Sequence, residues 1–260
     1  MYIDFKKKEV ICKVEISASL LNINEDDNEI NAFYRLEAAK IDYFHIDVMD
    51  GMFVQNNTVE MMQKYADNIK GISNVPLDVH LMVEDVKKYV DVFAPCMPNI
   101  INFHIEKTAN SCLNIEEKAR NFGEQNDTID NKIQYVLRSD DEIIKNINYI
   151  KENECRVGIV INPETDIEEV YKYLPYIHTV LVMSVHPGKG GQKFIENTEK
   201  KVNKLKDYIK DTNLETEIEV DGGINYDTIK LVHNADIVAV GKFLIDAKDY
   251  KFTVNSLKNS

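Results

Sequence analysis

Residues 43–47 read YFHID, and the chain on either side of them decides the architecture. Tyr43–Asp47 reads as a strand, and helix-patterned segments flank it at Asp27–Lys40 and Val59–Ile69. The alternation continues outward in both directions. Strands are predicted at Lys13–Ile16, Tyr43–Asp47, Leu77–His80, Ile100–His104, Arg156–Ile161, Thr179–Met183, Glu217–Asp221 and Ile237–Val240. Further helical segments fall at Val86–Phe93, Asp140–Glu152, Ile167–Leu174, Ile195–Asp211 and Tyr226–His233. The clearest is Ile195–Asp211, where Ile195, Val202, Leu205 and Ile209 recur at helical spacing among charged residues. Short strands alternating with longer helices predict βα units on a parallel sheet. Eight such units predict an α/β fold, a closed (β/α)8 TIM barrel. An open Rossmann-like sheet is the runner-up, weakened because no GxGxxG follows an early strand.

The bulk properties agree with that reading. A barrel domain takes about 250 residues, and the chain has 260, so residues 1–260 are expected to form one domain. The 44% of hydrophobic residues supply a core and the 29% of charged residues a solvated surface. No apolar run approaches the roughly 18 residues that span a bilayer. The N-terminal MYIDFKKKEVICKVEI has a basic patch without the long apolar stretch of a secretory signal. A net charge of −13 argues against nucleic acid and anionic membranes as partners. An anionic small molecule would need local help from backbone N–H groups, helix N-termini or a metal. Cys12, Cys96, Cys112 and Cys155 are scattered with no CxxC pair, which points to small apolar side chains in a reducing cytoplasm. The polar segment 107–132, after the fourth strand, breaks the rhythm and is expected to be a surface insertion.

Several residues fall where barrel chemistry occurs, at the C-terminal ends of strands. His45 and Asp47 lie two apart, so they share a face of the second strand. That pair suits a nitrogen–oxygen metal site, and a buried ion pair explains it equally well. His80 ends the third strand among apolar neighbours. A lone histidine there is usually a satisfied core residue, but the adjacent His–Asp pair shifts the balance toward a ligand. Asp221 ends the seventh strand before Gly222 and Gly223, which allow close backbone approach to a ligand or form an ordinary turn. The stretch MSVHPGKGGQ (183–192) is a small-residue loop suited to closing over a phosphate, with Lys189 and Lys193 adding positive charge. Gly241 and Lys242 follow the eighth strand, beside the loops where barrels often bind phosphate.

With these residues assembled, the chain resembles the ribulose-phosphate 3-epimerase family from about Ser17 to Ile245. The strings HIDVMDGMFV, LDVHLM, NPET, MSVHPGKGGQKF and EVDGGI carry the resemblance through their order and spacing. It implies a (β/α)8 barrel with one divalent metal held by His45, Asp47, His80 and Asp221, zinc first, with iron, manganese or cobalt as alternatives. It implies that Asp47 and Asp221 are also the catalytic acid/base pair, one on each face of the substrate. Ser19 and His80 match substrate-touching positions, and Met49, Met82 and Met183 match methionines of the pocket wall. Gly188, Gly190, Gly191, Gly222, Gly223 and Gly241 match phosphate-binding segments, with Lys189 and Lys242 among them. The departures are Ala18 before Ser19, Met52 and Gln55 in DGMFVQN, Lys189 in place of phenylalanine, His186, and Lys242 in place of serine. They bear on substrate preference and loop closure.

The activity so implied is epimerisation at C3 of a ketose phosphate, D-ribulose 5-phosphate to D-xylulose 5-phosphate, by proton transfer through an enediolate. The alternatives are a D-allulose-6-phosphate 3-epimerase and a non-catalytic sugar-phosphate-binding protein. A small-molecule sugar phosphate is the expected partner, and a homo-oligomer the expected assembly.

Overall fold

The computed structural model describes residues 13–23, 28–109 and 133–260. Its strands are β1 (Glu15–Ser19), β2 (Tyr43–Met49), β3 (Leu77–Met82), β4 (Ile100–His104), β5 (Glu106–Thr108), β6 (Tyr135–Leu137), β7 (Arg156–Ile161), β8 (Thr179–Met183), β9 (Glu217–Asp221) and β10 (Ile237–Val240). Eight of them close a parallel barrel in the order β1-β2-β3-β4-β7-β8-β9-β10, with β10 returning to β1. The α-helices are α1 (Glu29–Ala38), α2 (Val59–Ile72), α3 (Val86–Phe93), α4 (Asp140–Glu152), α5 (Asn197–Asp211), α6 (Lys242–Ile245) and α7 (Tyr250–Lys258). Helix starts follow local chemistry. Ser139 accepts a hydrogen bond from the Glu142 N–H, and Asp140, Asp141 and Glu142 place negative charge on the first turn of α4.

The outward faces of the strands and the inward faces of the helices make the main core. Phe44, Ile46 and Val48 of β2 are fully buried there with Phe33 and Leu36 of α1. Phe33 sits edge-on to both Phe44 and Tyr65. The barrel interior is separate. Tyr43, Ile100 and Ile237 pack together within it. Ser17, His45, Asp78, Asn102, Thr179 and Glu219 form a buried polar network there. Gly158 leaves room for that network, because a Cβ there would lie 1.6 Å from Asn102 Oδ1 and 2.3 Å from Thr179 Oγ1. Gly158→Ala is expected to lower stability by about 1–3 kcal/mol through overpacking, measured as a fall in the urea midpoint. An unchanged midpoint would contradict this packing.

Five segments depart from the sequence expectations. The first strand runs Glu15–Ser19, not Lys13–Ile16, because pairing with β10 and β2 carries through Ser17, Ala18 and Ser19 despite their weak β-propensity. Ile167–Tyr176 and Thr228–Val232 wind as 3-10 helices rather than α-helices. Pro175 lies within the first, and the second is a short stretch of TIKLV with β-branched residues. The start of the polar segment 107–132 belongs to β5, which pairs antiparallel with β6, and residues 110–132 lie outside the described residues. The helix α7 has no counterpart in the sequence reading. Its YKFTVNSLK favours helix weakly, and it is held by burying Tyr250, Thr253, Val254 and Leu257.

Candidate active site

The strand register brings the proposed chemistry together. His80 on β3 pairs in register with Asp47 on β2, two residues beyond His45. One donor atom from each of His45, Asp47, His80 and Asp221 lies within 4.8 Å of the others. His45 Nε2 and His80 Nδ1 are each 3.3 Å from Asp47 Oδ1, and His80 Nδ1 is 3.7 Å from Asp221 Oδ2. Both nitrogens are buried without a hydrogen-bond partner. Buried polar atoms are seldom left so. Two orphaned imidazole nitrogens facing two carboxylates form the nitrogen–oxygen donor set of a divalent transition metal. The residues present therefore fit such a cation.

The buried polar network orients the first of these imidazoles. Asp78 Oδ2 lies 2.6 Å from His45 Nδ1 and accepts from the Ser17 hydroxyl at 2.7 Å. Its other oxygen accepts from the Asn102 amide at 2.8 Å. The same amide reaches Glu219 at 3.2 Å, and Thr179 donates to the Asn102 oxygen at 2.9 Å. An aspartate that accepts places the proton on His45 Nδ1 and leaves Nε2 bare toward the cluster. Burial opposes the charge on Asp78, but His45 and the hydrogen bonds outweigh it and hold its carboxyl below the usual range. Burial and the neighbouring Asp78 push the Glu219 carboxyl well above its ordinary value, which favours its protonated form.

The two aspartates of the cluster are driven apart. Burial opposes charge on Asp47, but His45 and His80 outweigh it and hold the carboxyl well below the usual range. Asp221 is pushed up to about 7, first by burial and then by the charge on Asp47. Burial takes His80 down to about 4, which leaves it neutral as a ligand must be. Burial also opposes the charged form of His45, but Asp78 and Asp47 outweigh it and raise its pKa well above the usual value. Such a concentration of carboxylates calls for positive charge at the cluster, which a bound cation supplies in place of the second proton on His45.

The raised Asp221 has a consequence for the metal-free protein. In the fold it holds a proton that the unfolded chain releases. Its contribution to stability therefore falls as pH rises from about 4 toward 7. Asp221→Asn carries no such charge. Relative to the parent, it is expected to be about 2–3 kcal/mol more stable at pH 8 than at pH 5. Urea denaturation in chelator checks this, and a difference independent of pH would contradict it.

A cavity of about 600 Å³ opens above the cluster, within the range of small-molecule sites. Ser19, Asp47, Met49, Met82, Met183 and Asp221 line it on the strand ends. Gly188, Lys189, Gly190, Gly191, Gly222, Gly223, Gly241 and Lys242 line its loops. His45 and His80 are fully buried and do not reach its wall. Ser19 donates to Asp47 Oδ2 at 2.7 Å, which fixes that carboxylate. Gly223 has φ +62°, and a Cβ there would lie 2.7 Å from the Phe194 backbone nitrogen, so the turn needs glycine. Lys242 reaches Asp246 with its Nζ at 2.7 Å.

The glycine loop is tied on two sides. Asn56 donates to the Gly188 carbonyl at 2.6 Å, and His186 Nε2 lies 2.6 Å from Glu164 Oε1. Gln192 donates to the carbonyls of His186 and Lys189 at 2.7 Å.

Asp78, Glu219 and Asn22 belong to the site without a clear signal in the sequence. Asp78 and Glu219 read there as ordinary strand residues. Asn22 lines the cavity, and its Oδ1 would meet a Cβ at Gly190 at 2.6 Å and one at Gly241 at 3.4 Å. Its only sequence signal is its place three residues after Ser19, just beyond a strand end.

Comparison with known proteins places this geometry in a family. The chain is 35% identical over 220 residues to the ribulose-phosphate 3-epimerase of Helicobacter pylori (strain J99), covering 84% of this chain and 86% of that one. It is 32% identical over 228 residues to the ribulose-phosphate 3-epimerase of Methanocaldococcus jannaschii, covering 87% and 82%. Among solved structures, 3-hexulose-6-phosphate synthase from Salmonella typhimurium superimposes with a TM-score of 0.57 at 12% identity, over 95% of this chain and 97% of that one. That likeness is one of fold. The model of the ribulose-phosphate 3 epimerase family matches residues 15–132 and 129–245. The chain belongs to the ribulose-phosphate 3-epimerase family and is an isomerase.

Proposed function

We propose that the protein inverts C3 of D-ribulose 5-phosphate to give D-xylulose 5-phosphate, with Asp47 and Asp221 as the proton carriers. The observation that carries this is the placing of two carboxylates, Asp47 from β2 and Asp221 from β9, in the wall of one cavity beside two orphaned imidazole nitrogens. In the metal-free protein their surroundings push their proton affinities apart, as a base and an acid require. Asp47, ionised and held by Ser19, accepts the C3 proton from one face. Asp221 delivers a proton to the other face. In the reverse direction the roles exchange. A divalent cation held by His45, Asp47, His80 and Asp221 supplies electrostatic stabilisation for negative charge developing on the substrate oxygens. Zinc suits this donor set first, and iron, manganese and cobalt also suit it.

The remaining roles follow from residue chemistry. Met49, Met82 and Met183 give an apolar, polarisable wall with no acidic proton to quench a carbanion-like intermediate. The N–H groups of Gly222, Gly223 and Gly241 and the Gly188–Gly191 loop receive the phosphate, with Lys189 and Lys242 offsetting the acidity of the chain. The buried, free Cys96 and Cys155 accord with a reducing cytoplasm, and among the described residues no helix is long and apolar enough to cross a membrane. A homo-oligomer is the expected assembly, and light scattering tests it.

The test of the substrate is direct. Metal-loaded protein is assayed with D-ribulose 5-phosphate and with D-allulose 6-phosphate under the same conditions. Higher kcat/KM on the pentose is expected. Higher kcat/KM on the hexose would overturn the assignment and make the protein an allulose-6-phosphate epimerase.

A further inference from the structure

The second cluster imidazole, His80, has no carboxylate behind it as His45 has. Its outward nitrogen, Nε2, lies 3.0 Å from Nε2 of His104 on β4, and the rings stack at 5.1 Å. His104 Nδ1 in turn lies 3.1 Å from Glu106 Oε2. The other oxygen of Glu106 accepts the Asn162 N–H at 2.9 Å and the Thr165 hydroxyl. His80 and His104 are fully buried, and Glu106 is 2% exposed. The backbone that carries the two distal groups is pinned. Arg138 donates from Nε to the carbonyls of His104 and Glu106, each at 3.1 Å, and from Nη2 to the Val83 carbonyl at 2.9 Å. Phe53 closes the flank of His104 with its ring 4.6 Å away.

These contacts have one consistent hydrogen-bond direction. Glu106 Oε1 accepts from both the Asn162 N–H and the Thr165 hydroxyl, and as a carboxylate it can only accept at Oε2 as well. His104 must then carry its proton on Nδ1, which leaves its Nε2 bare. Two nitrogens 3.0 Å apart need one donor and one acceptor, so His80 donates from Nε2. A neutral His80 that donates from Nε2 has a bare Nδ1, and that atom is one of the orphans facing Asp47 and Asp221. The geometry points to His104 and Glu106 as positioning residues: a buried, one-way hydrogen-bond chain holds His80 in the tautomer that offers Nδ1 to a divalent cation. The inference rests on the reading of His80 as a ligand. Neither His104 nor Glu106 lines the cavity, so they act through His80 and not on substrate.

The chain makes an unusual demand on an isosteric change. In Glu106→Gln, the amide oxygen satisfies the Asn162 N–H and Thr165 and the amide NH2 turns to His104. The chain then reverses: His104 donates from Nε2 and His80 takes its proton on Nδ1. A second variant, His104→Leu, removes the acceptor and leaves His80 free to adopt either tautomer.

Two readouts test this on the full chain. The first is Co2+ affinity by competition titration, and the second is nitrogen-15 NMR of the histidine tautomers in metal-free protein. Glu106→Gln is expected to lose about 10–100-fold in Co2+ affinity, as partners behind a ligand typically do, and to move the His80 proton from Nε2 to Nδ1. His104→Leu is expected to show a mixture of tautomers and a comparable loss. A merely structural role would lower thermal stability without moving the proton. Parent-like affinity in Glu106→Gln, with His80 still protonated on Nε2, would overturn the inference. Failure of the parent to bind Co2+ would overturn the ligand reading of His80, and the tautomer of His80 would then decide the hydrogen-bond chain by itself.

Discussion

Asp47→Asn is expected to lower turnover of D-ribulose 5-phosphate by about 10³–10⁴-fold or more, in an enzyme that remains folded. Removing a positioned proton carrier typically costs about 10²–10⁴. Asp47 also faces both orphaned imidazole nitrogens, so its loss weakens the cation site as well. The two effects converge on one group and will not add simply. Asp221→Asn is expected to fall into the same range, because inversion needs a proton carrier on each face. Steady-state kinetics with circular dichroism and metal analysis on the same samples checks both variants. A variant of either residue that keeps more than about a tenth of parental kcat would remove that residue from the acid/base pair.

Removal of the proposed cation is the second large expected effect. Charge stabilisation by a bound cation supplies several kcal/mol in the transition state, so chelated protein is expected to lose about 10³-fold or more in kcat. Readdition of one divalent ion per chain should restore it. Binding should also be visible without turnover. A cation present at about 1,000 times its Kd stabilises the fold by roughly 4 kcal/mol, since only the native state assembles the four ligands. Alanine at His45 or His80 should abolish that stabilisation. Full activity after exhaustive chelation would contradict the role given to the cluster.

The barrel was legible because its signal is local and repeated. Most of the buried strands announce themselves by a short apolar run, and most of the helices between them by their spacing, so eight units could be counted without knowing their contacts. The cluster was legible through the family resemblance, because His45, Asp47, His80 and Asp221 fall in its motifs toward the C-terminal ends of strands, where a barrel converges its chemistry, while each alone had an ordinary structural explanation. What the sequence hid depends on closure. In LDVH and EIEVD, Asp78 and Glu219 alternate with apolar residues as they would on a half-exposed strand. Only the closed barrel turns that polar face inward, onto Ser17, Asn102 and Thr179. His104 and Glu106 were hidden for a related reason, because their partners His80, Asn162 and Thr165 come from other strands and loops. The helix α7 and the extension of β1 through Ser19 are cases of tertiary packing overriding weak local preference.

A cluster that moves a proton at C3 exchanges that proton with solvent. Incorporation of solvent deuterium tests it most directly. Metal-loaded protein, incubated in D2O with D-ribulose 5-phosphate and followed by proton NMR, is expected to place deuterium at C3 of both the recovered substrate and the epimer, and Asp47→Asn is expected to suppress that exchange. Epimer that forms with its C3 proton retained, or no exchange at all by metal-loaded protein, would contradict the account.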